Sequence, residues 1–134
     1  MNPTFIKVCA AVIRDNGKIL LASRDIDLGT GKVERYWEFP GGKIHDGESH
    51  ADCMRRELLE EIGADVQVFD LMMQTVHSYP IRNVHLYFYR CMFRERNPKL
   101  HCLDGQELRW VKTSEILQMN LLPADKPMAE FLGL

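Results

Sequence analysis

The chain has 134 residues with 17 Lys+Arg against 19 Asp+Glu, a net charge of −2, and 46% of it is hydrophobic. That length and composition suit one domain spanning residues 1–134 with a single real core, and they exclude disordered, collagenous and low-complexity readings. Without a basic excess no nucleic-acid polymer is expected as a partner, although a small charged substrate remains open.

The run from Val8 to Ile13 is apolar but only six residues long, too short for a signal peptide or a membrane span. Phe5 to Arg14 and Lys18 to Arg24 read as strands joined at Asn16-Gly17, a pair suited to a tight hairpin turn. Asp25 to Arg35 is charged, carries Gly29 and Gly31, has no period, and is expected to be a mobile loop before a Trp37-Glu38-Phe39 strand. Pro40-Gly41-Gly42-Lys43 then predicts a turn in which backbone groups approach a ligand closely.

Ser49 as N-cap and Gly63 as C-cap bracket a helix whose Ala51, Met54, Leu58 and Ile62 recur at helical spacing as the buried stripe. Strands are expected over Ala64 to Val76, Ile81 to Phe93 and Glu107 to Lys112, followed by short helices at Ser114 to Met119 and Pro123 to Leu132. The pattern implies a mixed sheet flanked by helices, an α/β or α+β sandwich. Cys9, Cys53, Cys91 and Cys102 form no CxxC pair and read as reduced thiols of a cytoplasmic protein. His101 beside Cys102 could hint at zinc, but no second pair follows and plain strand residues are the simpler reading.

On the central helix, Glu57, Glu60 and Glu61 stand at i, i+3 and i+4. This places three mutually repelling carboxylates on about a third of the helix surface or less. A solvated acidic face with Arg55 and Arg56 as partners is the plain explanation, and a divalent cation is the functional one. The glycine turn delivered to the mouth of the same helix favours the cation, with Mg²⁺ suited to hard oxygen ligands and Mn²⁺ able to replace it.

From Gly42, five residues lead to Glu48, seven more lead to Arg56-Glu57-Leu58, and Leu59-Glu60-Glu61-Ile62-Gly63-Ala64 completes the series. This resembles the Nudix box, GX5EX7REUXEEXGU, with a chance of accidental occurrence on the order of 10⁻⁷ at average residue frequencies. Only Ala64, where a larger aliphatic residue is usual, departs softly from it. Trp37-Glu38-Phe39-Pro40-Gly41-Gly42-Lys43 and Pro123-Ala124-Asp125-Lys126-Pro127 resemble segments of the MutT-type branch, which converts nucleoside triphosphates to monophosphates and pyrophosphate.

The resemblance implies the Nudix α/β/α sandwich around a mixed sheet. It also implies that the Gly41 carbonyl, Glu60 and Glu61 hold Mg²⁺, and that Glu57 is the general base or holds a second ion. Glu48 would support metal or loop geometry, Arg56 would orient a glutamate, and Asp104, with Glu107 close by, could assist the metals. Gly42 and Lys43 would lie at the phosphates, Lys43 being otherwise an exposed loop charge. Arg24, Phe39, Tyr79, Arg82 and Asp125 would surround the base and sugar.

Each base-side residue has a plainer alternative: Phe39 as core, Tyr79 as a strand-end aromatic, Arg24 and Arg82 as surface charges, Asp125 as a helix N-cap. An ionised Asp125 only accepts, which suits the exocyclic amine of cytosine or adenine, whereas a protonated one could donate to the O6 of 8-oxoguanine. The expected substrate is therefore 8-oxo-dGTP or a cytidine-type triphosphate. The box itself leaves open a nucleotide sugar or dinucleotide as substrate, and a catalytically silent nucleotide-binding module would lack one of the ligands that are present here.

Overall fold

A computed structural model describes residues 4–102 and 105–133. Strands β1 (Phe5–Asp15), β2 (Lys18–Asp27), β3 (Val33–Glu38) and β4 (Gly41–Lys43) precede helix α1 (His50–Ile62). Strands β5 (Val66–Ser78), β6 (Asn83–Phe93) and β7 (Leu108–Lys112) follow, then two 3₁₀ turns, Ile116–Gln118 and Pro123–Asp125, and helix α2 (Lys126–Leu132). The sheet runs β3-β2-β1-β6-β5, with β4 paired to β1 and β7 to β2. It is mixed, since β1 runs parallel to β6 from Phe5↔Asn83 to Ile13↔Cys91 and antiparallel to β4.

The continuous apolar run of β1 follows from its place at the centre, buried on both faces. Ala10 and Val12 enter one core with Trp37, Phe39, Phe88 and the α2 residues Met128 and Ala129. Cys9, Ala11 and Ile13 enter the other with Met54, Leu58 and Ile62 of α1. Helices therefore cover both faces, and the α/β/α sandwich expected from the sequence is present.

The hairpin turn at Asn16-Gly17 is formed with both residues at positive φ, 50° and 73°. Its two strands pair only at Arg14↔Ile19 and Asp15↔Lys18 before β1 diverges to β4 and β6. The stretch from Asp25 to Arg35 is not a long loop. β2 and β3 remain paired from Ala22↔Glu38 to Asp27↔Val33, and Arg35 bridges the strands by donating to Asp25. Only 28–32 is left as a connection, and the Asp27 carboxylate accepts from the amides of Gly29, Thr30 and Gly31 at 2.8, 2.9 and 3.1 Å. Charges read as solvating a loop are here cross-strand and turn-closing partners.

Helix α1 has the expected ends. Ser49 Oγ accepts from the Asp52 amide, and Gly63 sits in the left-handed region with its N–H on the Leu59 carbonyl. Its buried face is rotated slightly from expectation: Ala51 is exposed, and Cys53, Met54, Leu58, Glu61 and Ile62 are covered. The Cys53 thiol donates to the Lys43 carbonyl at 3.4 Å and so ties α1 to β4. The four cysteines are free thiols. His101 belongs to no strand; its N–H donates to the Ile62 carbonyl and its ring lies over Gly63, closing the helix end. The Cys102 thiol donates to the Gln106 carbonyl. No helix among the described residues is long and apolar enough to cross a membrane.

Candidate active site

A cleft of about 350 Å³ opens where β4 meets α1 and runs over β1 and β6, past the end of β3, to the 3₁₀ turn at 123–125. Its walls carry Gly41, Gly42, Lys43, Glu57, Glu60 and Glu61 at one end, and Arg24, Phe39, Tyr79, Arg82 and Asp125 at the other. Eleven of the residues singled out in the sequence thus share one space of the volume expected for a small-molecule site. Arg56 and Glu48 stand behind the first group, and Asp104 lies outside the described residues.

The glycine segment is an extended strand rather than a turn. β4 lies antiparallel on β1, with Ala10↔Gly41 and Cys9↔Gly42 in register. This pairing is a tertiary effect that the local composition of Pro40-Gly41-Gly42 does not announce. A Cβ on Gly41 would stand 1.9 Å from the Cys9 carbonyl oxygen, so the close strand approach requires glycine. A Cβ on Gly42 would meet the Glu57 carboxyl carbon at 2.2 Å, so Gly42 is what allows that carboxylate to lie on the backbone.

Arg56 organises the acidic face. It grips Glu48 with two hydrogen bonds, Nε to Oε2 at 2.7 Å and Nη2 to Oε1 at 2.9 Å, and Nη2 also donates to the Lys43 carbonyl. Its Nη1 holds Glu57 Oε1 at 2.7 Å and reaches Glu60 Oε2 at 3.5 Å. The planar fork thus joins the β4 backbone, the entry loop and two carboxylates of α1. Arg56, followed by the His45 amide, holds the Glu48 carboxyl down at about 2, so this pair stays charged throughout the physiological range.

Glu61 is different. It is 8% exposed and accepts from the Gly41 amide at 3.2 Å. Burial, then the charge of Glu38, pushes its carboxyl up to about 8. Among the described residues no three His, Cys, Asp or Glu side chains converge as a ready-made cage. The donor set is nevertheless of the kind a hard cation takes, a few carboxylates and backbone oxygens with room left for water and phosphate oxygens.

The far end is apolar apart from four ionisable groups, Arg24, Glu38, Arg82 and Asp125. Arg24 Nη2 pairs with Glu38 Oε1 at 2.9 Å, with the Glu38 side chain 13% exposed. Burial raises the Glu38 carboxyl and Arg24 opposes the rise. Asp125 is 2% exposed, and its Oδ1 has no hydrogen-bond partner among the described residues. Burial first, then Glu38, raises its carboxyl well above the usual value, against a hydrogen bond from the Phe39 amide and the charge of Arg24. Asp125 does occupy the N-cap position of α2, but its side chain makes no capping bond. The N-cap reading therefore fails for the carboxyl: with φ −90° and ψ −16° the residue is already helical, continuing the 3₁₀ turn, rather than extended as a capping residue is.

Phe39 is core, 3% exposed with its ring edge-on to Phe88 at 5.5 Å, and it also lines the cleft. Lys43 is exposed at the cleft rim. The Tyr79 hydroxyl accepts from the Ala124 amide at 3.0 Å, and burial raises its own ionisation to about 12. Sequence reasoning missed Glu38 and Gln106 as cleft residues, the latter with a buried Oε1 lacking a partner among the described residues. A lone acid between Trp37 and Phe39 was the available signal for Glu38, whereas nothing local marks Gln106.

Helices on both faces of a mixed sheet and a carboxylate-bearing helix beneath a glycine strand define a Nudix hydrolase. The NUDIX domain model matches residues 3–132, and the chain belongs to this family of enzymes. Among its relatives, the CTP pyrophosphohydrolase of Escherichia coli (strain K12) is 34% identical over 125 residues, covering 93% of this chain and 89% of the relative. The 8-oxo-dGTP diphosphatase of Proteus vulgaris is 36% identical over 90 residues, 66% of this chain and 78% of the relative. The solution structure of the E. coli ORF135 protein superposes with a TM-score of 0.79 at 34% identity, covering 96% of this chain and 88% of that one.

Proposed function

We propose that the protein is a Mg²⁺-dependent nucleoside triphosphate pyrophosphohydrolase of MutT type, converting a (d)NTP and water to a (d)NMP and pyrophosphate. Its substrates would be 8-oxo-dGTP and cytidine-type triphosphates, removed from the nucleotide pool. The carrying observation is a single cleft with chemically opposite ends, α1 carboxylates under glycine backbone at one and, at the other, a largely apolar pocket holding Asp125, whose Oδ1 has no partner among the described residues. The first end suits a polyphosphate and the second a flat base.

The Gly41 carbonyl, Glu57, Glu60 and Glu61 would hold the cation, and Asp104 joins them as a proposal from the sequence alone. Mg²⁺, or Mn²⁺ in its place, neutralises charge on phosphate oxygens and makes water more acidic. Glu57 would take the proton from the attacking water, since it shares a face with Glu60 and Glu61 and has one oxygen, Oε2, not engaged by Arg56. Arg56 would orient Glu57, and the bidentate Glu48 partner balances the guanidinium charge. Lys43 at the rim would meet phosphate oxygens.

At the base end a neutral Asp125 offers one donor and one acceptor side by side. That edge matches O6 and N7–H of 8-oxoguanine, and equally N3 and the N4 amine of cytosine. It mismatches the N7 and O6 acceptor pair of unmodified guanine. One protonated carboxyl therefore accounts for both substrate classes among the relatives' names. Arg24, paired to Glu38, and Arg82 would flank the base and sugar.

Pyrophosphate release should be measured for 8-oxo-dGTP, dGTP, CTP, dCTP and 5-methyl-dCTP with Mg²⁺ and compared as kcat/KM. Preference for 8-oxo-dGTP or the cytosine nucleotides over dGTP is expected. No turnover of any of them would overturn the reading in favour of another phosphoanhydride, such as a nucleotide sugar.

A further inference from the structure

The buried carboxyl of Asp125 needs something to aim it, because the residue sits in a one-turn 3₁₀ segment with no side-chain cap. The backbone around it is anchored from two directions. On the β3 side, Trp37 N–H donates to the Asn120 carbonyl at 2.8 Å and Leu122 N–H to the Trp37 carbonyl at 3.0 Å. On the β5 side, both polar groups of Ala124, the residue immediately before Asp125, are taken by side chains. Thr75 Oγ donates to its carbonyl at 2.9 Å, and its N–H donates to the Tyr79 hydroxyl at 3.0 Å.

Thr75 lies in β5 and Tyr79 is the first residue beyond its end, and together they hold the two peptide groups on either side of the Ala124 Cα, Tyr79 the one before it and Thr75 the one that leads into Asp125. Rotation of the Ala124–Asp125 peptide would break the Thr75 bond, and rotation of the Pro123–Ala124 peptide the Tyr79 bond. The phosphate end has no connection to this arrangement, since Arg56 and its partners lie on α1, β4 and the entry loop.

We propose that Thr75 is a specificity-determining positioning residue that, with Tyr79, locks the backbone on both sides of Ala124 and so aims the Asp125 carboxyl at the base edge. The inference rests on the base-contact reading of Asp125 given above. It assigns Tyr79's hydroxyl to holding the protein rather than to touching the nucleotide, while its ring remains part of the cleft wall. Thr75 touches no substrate, and its effect passes through Asp125.

The test compares kcat and KM for 8-oxo-dGTP, CTP and dGTP in the unmodified chain, Thr75→Val, Thr75→Ser, Tyr79→Phe and Asp125→Ala. Thr75→Val keeps the shape and removes the donor. Its preference for the best substrate over dGTP should fall about tenfold, within the range one bidentate base contact supplies. The fall should come through KM with kcat changed less than twofold, and Thr75→Ser should restore the preference. Should Thr75→Val fail to fold, Tyr79→Phe, which removes the partner of the Ala124 amide, carries the same expectation.

Unchanged preference in the folded Thr75→Val or Tyr79→Phe variant, while Asp125→Ala loses it, overturns the clamp and leaves the base contact standing. Loss of preference that serine fails to restore also overturns it, because packing rather than the hydrogen bond would then be responsible. Full preference retained in Asp125→Ala overturns the base-contact reading and the clamp with it.

Discussion

The two ends of the cleft are built by opposite strategies. At the end formed by β4 and α1, the buried Glu61 apart, exposed or half-exposed charges are tied together: Arg56 alone bonds Glu48, Glu57 and the Lys43 carbonyl, and reaches Glu60. At the base end, acids are withdrawn from water with few partners, and Asp125 Oδ1 has none among the described residues. Water and salt moderate the first set of charges, so many close carboxylates cost little there. In the second, desolvation dominates and protonation becomes the cheaper state. A polyphosphate needs fixed charge and cation ligands, whereas a neutral base needs a dry edge with a defined donor and acceptor.

The sharpest way to separate the ends is to damage one and read the other. Glu57→Gln should lower kcat by about a thousandfold, within the range of a lost general base, with base preference unchanged. A mutant of near-normal kcat would remove Glu57 from that role. Gly42→Ala should come next, at about a hundredfold in kcat, because its Cβ claims the place of the Glu57 carboxyl carbon while the strand itself stays open to it. Unchanged turnover there would show that Glu57 works from another position.

Asp125→Ala should reverse the pattern, lowering the preference for 8-oxo-dGTP or CTP over dGTP by about tenfold or more with little change in kcat. Arg56→Lys should have a smaller effect, several-fold in kcat, since an ammonium cannot hold Glu48 with two bonds and Glu57 with a third. Equal activity would make Arg56 a surface charge only.

The smallest effect is on stability, read by melting the metal-free protein across pH. Glu61, raised from 4.5 to about 8, together with Glu38 and Asp125, keeps protons in the folded chain that the unfolded chain has released. Their contribution to stability is therefore full below about 4.5 and is lost as pH rises toward 8, lowering the melting temperature over that interval. Glu61→Gln should flatten that slope. A melting temperature that rises over the same interval would contradict the buried-acid description. Adding Mg²⁺ should raise the midpoint of the unmodified chain through binding to the folded state, and raise it less in Glu61→Gln.

Much of this was legible because the chemistry at the phosphate end is local in sequence. Ser49 and Gly63 mark the helix, and Glu57, Glu60 and Glu61 fall on one face by helical geometry alone. The misreadings share a cause. Asp25 to Arg35 looked like a loop because its charges find partners only across strands, in Arg35 with Asp25 and in Asp27 with the amides that follow it. Gly41–Lys43 looked like a turn because its strand character comes entirely from β1. Ala51 was placed inside because spacing gives the period of a buried stripe more firmly than its edge.

The sequence by itself determined the family, the sandwich and the carboxylate-bearing helix, since each depends on residue type at fixed short spacing. Only the tertiary structure decided what happens at the base. There Glu38 from β3, Thr75 from β5, Tyr79 just beyond it, and Asp125 from the C-terminal turn meet across as many as 87 positions of chain. The upward shift of the Asp125 carboxyl follows from burial, a property of the packed whole and of no segment within it.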